Sequence, residues 1–131
     1  MAEKIPGERR NILLLIKLDA NDLFERVVGR CSEYLKILEL KRTREHLKLI
    51  FESRFSTLSI NELKSVSEEV IMASHAYYKK IEEIKWYLFY SEDMPTAMSD
   101  HVFRSLKEIE KKYMALTLYV DGNLGHKTHD D

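Results

Sequence analysis

The chain offers several residue types that could do chemistry, so their spacing is the first test of function. It has 5 histidines, a single cysteine and 22 acidic side chains. A di-iron bundle needs Glu-x-x-His pairs on facing helices, because a carboxylate and an imidazole at i and i+3 converge on one metal. No such pair occurs. Glu68, Glu69, Glu82, Glu83, Glu108 and Glu110 read instead as solvated helix faces, several of them within a turn of Lys79, Lys80, Lys111 or Lys112. His126 and His129 have a spacing that could share a metal on a helix, but they follow a glycine stop in a polar tail. His75, next to Tyr77 and Tyr78, reads as a hydrogen-bonded boundary residue. Asp100 and His101 fall in the first turn of a helix, where the dipole favours Asp. Arg42 and His46 approach the arginine–histidine spacing that helical ribonucleases of the toxin type use on one helix face, and fall short of it. No Gly-rich phosphate loop, Gly-x-Ser-x-Gly elbow or Cys-x-x-Cys pair is present. The expectation is a protein without catalytic residues, metal, cofactor or small-molecule substrate.

Two stretches remain as candidates for binding. Lys41, Arg42, Arg44, His46 and Lys48 form a local basic concentration, and on a continuous helix Lys41, Arg44 and Lys48 would share a face able to meet phosphates or an acidic partner. Glu39, Glu45 and Glu52 dilute that charge, so a solvated stretch is the favoured reading, and Arg42 with Glu45 could form a paired polar layer that fixes register. The other stretch is Lys85-Trp86-Tyr87-Leu88-Phe89-Tyr90, whose bulky side chains cannot all enter one core. Leu88 and Ile84 belong to the buried seam, which leaves Trp86, Phe89 and Tyr90 in need of cover. Either the apolar run Ile12 to Ile16 supplies it within the chain, or these residues form an exposed patch, and Trp and Tyr are the usual anchors of such contacts. Ile12, Leu14, Leu15, Trp86, Phe89 and Tyr90 are therefore the expected self-association patch, with another copy or an assembly partner as its occupant.

The elements that position these residues are helical. From Asp19 to Phe55 there is no proline, and Leu23, Phe24, Val27, Val28, Cys31, Tyr34, Leu35 and Leu38 recur at helical spacing, which predicts one long helix. Its apolar stripe stops at Lys41 to His46 and resumes, displaced, at Leu47, Leu49, Ile50 and Phe51. Ser59-Ile60-Asn61-Glu62 is a capping box and predicts a second helix with a seam of Ile60, Leu63, Val66, Val70, Ala73, Tyr77, Ile81, Ile84 and Leu88. Ser91 to Pro95 breaks it. A third stripe, Val102, Leu106, Ile109, Tyr113, Leu116 and Val120, with Phe103 and Met114 flanking it, ends at the glycine stop Asp121-Gly122-Asn123. Glu8 to Leu18 is assigned to a short helix, since a lone strand would leave its backbone unpaired. The expected fold is all-α: an up-and-down antiparallel bundle of three long helices and a short N-terminal one, a single domain over residues 1–124 with a flexible polar tail at 125–131.

Composition narrows the classes further. A formal net charge of −1 gives no overall field toward nucleic acid or an anionic membrane. The apolar run near the N-terminus is too short to span a bilayer and lacks a cleavage site, so neither membrane insertion nor secretion by a signal peptide is expected. Cys31 implies no oxidising compartment. Glutamine is absent and asparagine sparse while Lys and Glu abound, the compositional trend of hyperthermophile proteins. In length, helicity and missing glutamine the chain is similar to small helical structural proteins, coat-type proteins included, of viruses that infect hyperthermophilic archaea. That resemblance, which no motif carries, implies a virion component whose functional residues are its assembly contacts. A cytoplasmic regulatory module binding nucleic acid or an acidic protein through residues 41–48 is the alternative.

Overall fold

The structure, a computed structural model, describes residues 7–41 and 43–125. Every regular element among them is helical. α1 (Gly7–Phe24) runs into a π-helical turn (Glu25–Gly29) and continues as α2 (Cys31–Lys41). A connecting stretch follows, holding the single turn α3 (Leu47–Ile50), a 3₁₀ turn (Phe55–Thr57) and the short α4 (Ile60–Leu63). α5 (Glu68–Tyr90) and α6 (Pro95–Leu124) complete the chain.

Side-chain pairings fix the directions. Lys17 reaches Asp121 at 2.7 Å and the Tyr113 hydroxyl donates to Asn21 at 2.8 Å, so α1 and α6 run opposite ways. The Tyr77 hydroxyl donates to the Ala20 carbonyl at 2.8 Å, and Arg44 reaches the end of α5, so α5 runs in the direction of α1 and α2. Residues 43–66 travel back between them. The chain thus passes along the bundle axis four times, but the second pass is mostly turns rather than a helix. Apolar faces of all four passes meet in one core that includes Leu13, Ile16, Leu23, Val27, Tyr34, Leu47, Val70, Tyr77, Ile84, Leu88, Ile109, Leu116 and Val120.

Several expected boundaries shift, each for a local reason. The first long helix begins at Gly7 rather than Asp19, so the anticipated short N-terminal helix is simply its start, and it ends at Lys41 rather than Phe55. The interruption of the apolar stripe at 41–46 is where the helix stops. Arg44 and His46 there make tertiary contacts: Arg44 donates to two carbonyls at the end of α5, and His46 Nε2 donates back to the Tyr34 carbonyl of α2 at 3.0 Å. Arg42 lies outside the described residues, and with it the expected Arg42–Glu45 layer. The capping box forms as expected, with Glu62 N–H donating to Ser59 Oγ at 3.0 Å and Ser59 N–H to the Glu62 carboxylate at 2.8 Å. It starts only α4, because Ser67 opens a fresh helix by accepting from the Val70 N–H, with Glu68 and Glu69 favoured in that first turn. Ile60 is consequently exposed rather than in the seam. α6 passes through Gly122 and stops at Gly125, whose φ of 81° is the left-handed geometry of a C-terminal cap.

The π-helical turn positions two sets of contacts. It breaks the regular ladder near Gly29, and the buried Tyr34 hydroxyl donates to the Val27 carbonyl there. The same turn carries Arg26, which donates to the Ile50 carbonyl at 3.1 Å and to the Glu52 carbonyl, closing the C-terminus of α3.

The irregular pass is tied down chiefly by Asp19. Its carboxylate accepts from Ser53 Oγ at 2.7 Å, from the Arg54 N–H at 2.8 Å and from the Tyr78 hydroxyl at 2.7 Å, joining α1, the connecting stretch and α5. Phe55 stacks on Tyr78 beside it, with centroids 4.1 Å apart. Burial pushes the Tyr34, Tyr77 and Tyr78 hydroxyls above the usual tyrosine range, and at Tyr78 the hydrogen bond to Asp19 pushes the same way. Asp19→Ala should lower stability by roughly 2 kcal/mol, read as a urea midpoint, because three donors, two of them part-buried, lose a charged acceptor. The tyrosines predict an alkaline limit. Unfolded phenols ionise near pH ~10 while the buried ones stay protonated, so above that pH the unfolded state binds fewer protons and stability falls. A urea midpoint that drops above pH ~10, with a shallower drop in Tyr78→Phe, is the expected result.

Candidate functional site

The aromatic end of α5 is sorted by helical geometry. Leu88 and Ile84 enter the core. Tyr87 turns toward α6, stacking on His101 with centroids 3.9 Å apart and donating to the Asp93 carboxylate at 2.6 Å. Phe89 is half-buried and packs against the core. Trp86 and Tyr90, each 67% exposed, are left outside. They sit at i and i+4 with ring centroids 5.2 Å apart, and Phe89 lies 6.5 Å from Tyr90, so the three form one aromatic cluster on the helix surface.

The N-terminal part of the expected patch is elsewhere. Ile12 is buried in the core rather than available for association, Leu14 is half-buried against it, and only Leu15 is exposed. Moreover, Ile12 to Ile16 precede Ala20, which is level with Tyr77, whereas Trp86 and Tyr90 lie beyond Tyr77 in the same direction. At 1.5 Å per residue the two groups are separated by about 20 Å along the axis. The apolar run therefore does not cover the aromatic cluster, and the two do not form one patch. Ile12 to Ile16 serve the opposite end of the bundle, where Arg9 donates to Asn123 at 2.8 Å.

The basic stretch is also not the continuous face that a helix would make. Lys41 ends α2, Arg44 stands in the irregular segment and Lys48 is in α3. Lys41 and Lys48 are exposed, but the Arg44 guanidinium donates to the Leu88 carbonyl at 2.8 Å and to the Ser91 carbonyl at 2.7 Å. It adds a charged cap to the C-terminus of α5, which has no basic residue in its last turn and whose Ser91 N–H donates to the Tyr87 carbonyl at 2.8 Å. Arg44 lines a groove of about 370 Å³ with Leu35, Leu38 and Met98, and Glu39, Glu92 and Asp93 line it too, a surrounding that repels phosphate.

Other sequence candidates fall outside a common site. His75 is exposed on α5, and His101 is engaged with Tyr87. His126 and His129 lie outside the described residues. Among the described residues no three His, Cys, Asp or Glu side chains are grouped to hold a metal, and no helix is long and apolar enough to cross a membrane. Cys31 is buried, and burial raises its thiol pKa.

One exposed residue that matters was missed in the sequence. Met72, 66% exposed, stands on the side of α5 opposite the core, as Trp86 and Tyr90 do. Its signal was available, because Met72, Lys79, Trp86 and Tyr90 fall on one helical stripe away from the seam. No protein-family model matches the chain, and neither does any curated protein or solved structure.

The division of roles in the basic stretch is open to measurement. Arg44→Ala should destabilise the fold by about 2 kcal/mol, since two carbonyls at a helix end lose a charged donor. Lys41→Ala and Lys48→Ala should each stay within about 0.5 kcal/mol of the parent in the same urea titration.

Proposed function

We propose that this chain is a non-enzymatic helical protein that works by association, and that the outer face of α5 around Trp86 and Tyr90 is where it docks. The observation that carries this reading is the pair of neighbouring large aromatics, each two-thirds exposed, at the end of a helix whose other face is fully packed. Neither ring contributes to the core. An exposed Trp–Tyr pair on one rigid helix gives a large contact area at little entropic cost, because helix and neighbour already restrict both side chains. A subunit of a larger assembly, including the coat-type role that the resemblance implies, would be one instance of such a protein. The alternative of an anion-binding module at 41–48 has less support, since Arg44 is committed to α5 and has acidic neighbours.

Trp86 is the sole tryptophan, so its emission reports on this face alone. On concentration the wild-type protein should show a blue shift together with a rise in sedimentation-average mass. Trp86→Ala combined with Tyr90→Ser should keep the helical circular dichroism and sediment as a monomer. A wild-type protein that stays monomeric at high concentration, with unshifted emission, refutes the proposal.

A further inference from the structure

We infer that the occupant of this face is a second copy of the chain, its α5 packed antiparallel to the first about a two-fold axis. The inference rests on the docking role proposed above and adds a partner and a register. Along the side of α5 away from the core, Met72, Ala76, Lys79, Glu83, Trp86 and Tyr90 alternate steps of four and three residues. This is the spacing of a helix-pairing seam, separate from the seam Val70, Tyr77, Ile81, Ile84 and Leu88 that faces the core. All six positions are exposed except Ala76, which is half-buried.

The pattern is complementary to its own reverse. A two-fold axis at the level of Ile81 sets Met72 against Tyr90 of the second copy, Ala76 against its Trp86, and Lys79 against its Glu83. Each layer then occurs twice, as an isologous contact requires. The outer layers match apolar with apolar, the next ones seat the largest side chain over the smallest, and the central ones pair opposite charges. Parallel pairing in register does the reverse. It opposes Lys79 to Lys79, Glu83 to Glu83 and Trp86 to Trp86, placing like charges and the bulkiest rings against themselves. Lys79 has no ion pair among the salt bridges of the described residues, and Glu83 holds only an exposed i, i+3 contact with Lys80 at 3.3 Å, so the central layers need little rearrangement. The seam spans about 27 Å of helix, at the small end of specific interfaces, which makes the association reversible and concentration-dependent.

Two charge reversals test the register. In Lys79→Glu both central layers become acidic against acidic, and in Glu83→Lys both become basic against basic. Each variant alone should self-associate about tenfold or more weakly than wild type. Mixed in equal amounts, they should form a heterodimer of near wild-type affinity, because the two acidic central positions of one chain then face the two basic central positions of the other. Both positions are exposed, so unchanged circular dichroism controls for folding. Sedimentation equilibrium of each variant and of the mixture gives the answer. If wild type associates, Trp86→Ala abolishes it and the charge variants behave as wild type, the docking face stands and the antiparallel register falls. If the variants weaken but mixing restores nothing, the register likewise falls. A monomeric wild type overturns both.

Discussion

The Asp19 carboxylate is the point on which the arrangement of this chain turns. Three of the four passes are helices that satisfy their own backbones, but residues 43–66 have only single turns and must be held by side chains. Asp19 accepts three hydrogen bonds from two other passes, and the Phe55–Tyr78 stack closes over the same place. A charged acceptor with several donors is worth more than separate neutral bonds, and in a partly buried position it also dictates where each donor must lie. The second pass is thereby placed against α1 and α5 without a helix of its own.

Two arginines complete that attachment at the ends of helices. Arg26, presented by the π-helical turn, closes α3, and Arg44, from the irregular stretch, closes α5. Each puts a cation at the negative end of a helix dipole and supplies donors to carbonyls that have no partner within the helix. The exchange is reciprocal: the connecting stretch finds anchorage, and the helices find their caps. It also accounts for the end of α2 at Lys41. Continuing that helix would add a few backbone hydrogen bonds, whereas stopping it releases Arg44 and His46 for contacts that link separate passes.

These tertiary exchanges mark the limit of what the sequence made legible. The apolar periodicity of α5 and α6 was readable because each helix is long and packs one face, and the capping box at Ser59 formed as its residue types require. The break at 41–46 left a trace in the displaced apolar stripe, but its cause lay in carbonyls distant in sequence. Nor did the restart at Ser67 follow from the seam alone, since Ile60 fits the heptad count and is nonetheless exposed. At the candidate site, Trp86 and Tyr90 were recognisable from register, as residues displaced from a seam. Ile12 was not separable from Leu15 in an unbroken apolar run, because deciding which faces the core requires knowing where α6 and α4 lie.

A helix with a second, outer seam, as proposed for α5, would face opposing demands. The inner seam is apolar over most of its length and fully covered, so it contributes to the fold whatever surrounds the protein. An outer seam of the same character would bind any apolar surface and risk unselective aggregation. Lys79 and Glu83 interrupt the outer face and limit its exposed apolar area. In the proposed pairing the same two charges would make orientation decisive, because an ion pair contributes little in water while two like charges held face to face cost considerably more. In the proposed pairing, affinity would come from Met72, Trp86 and Tyr90, and selectivity from the polar middle.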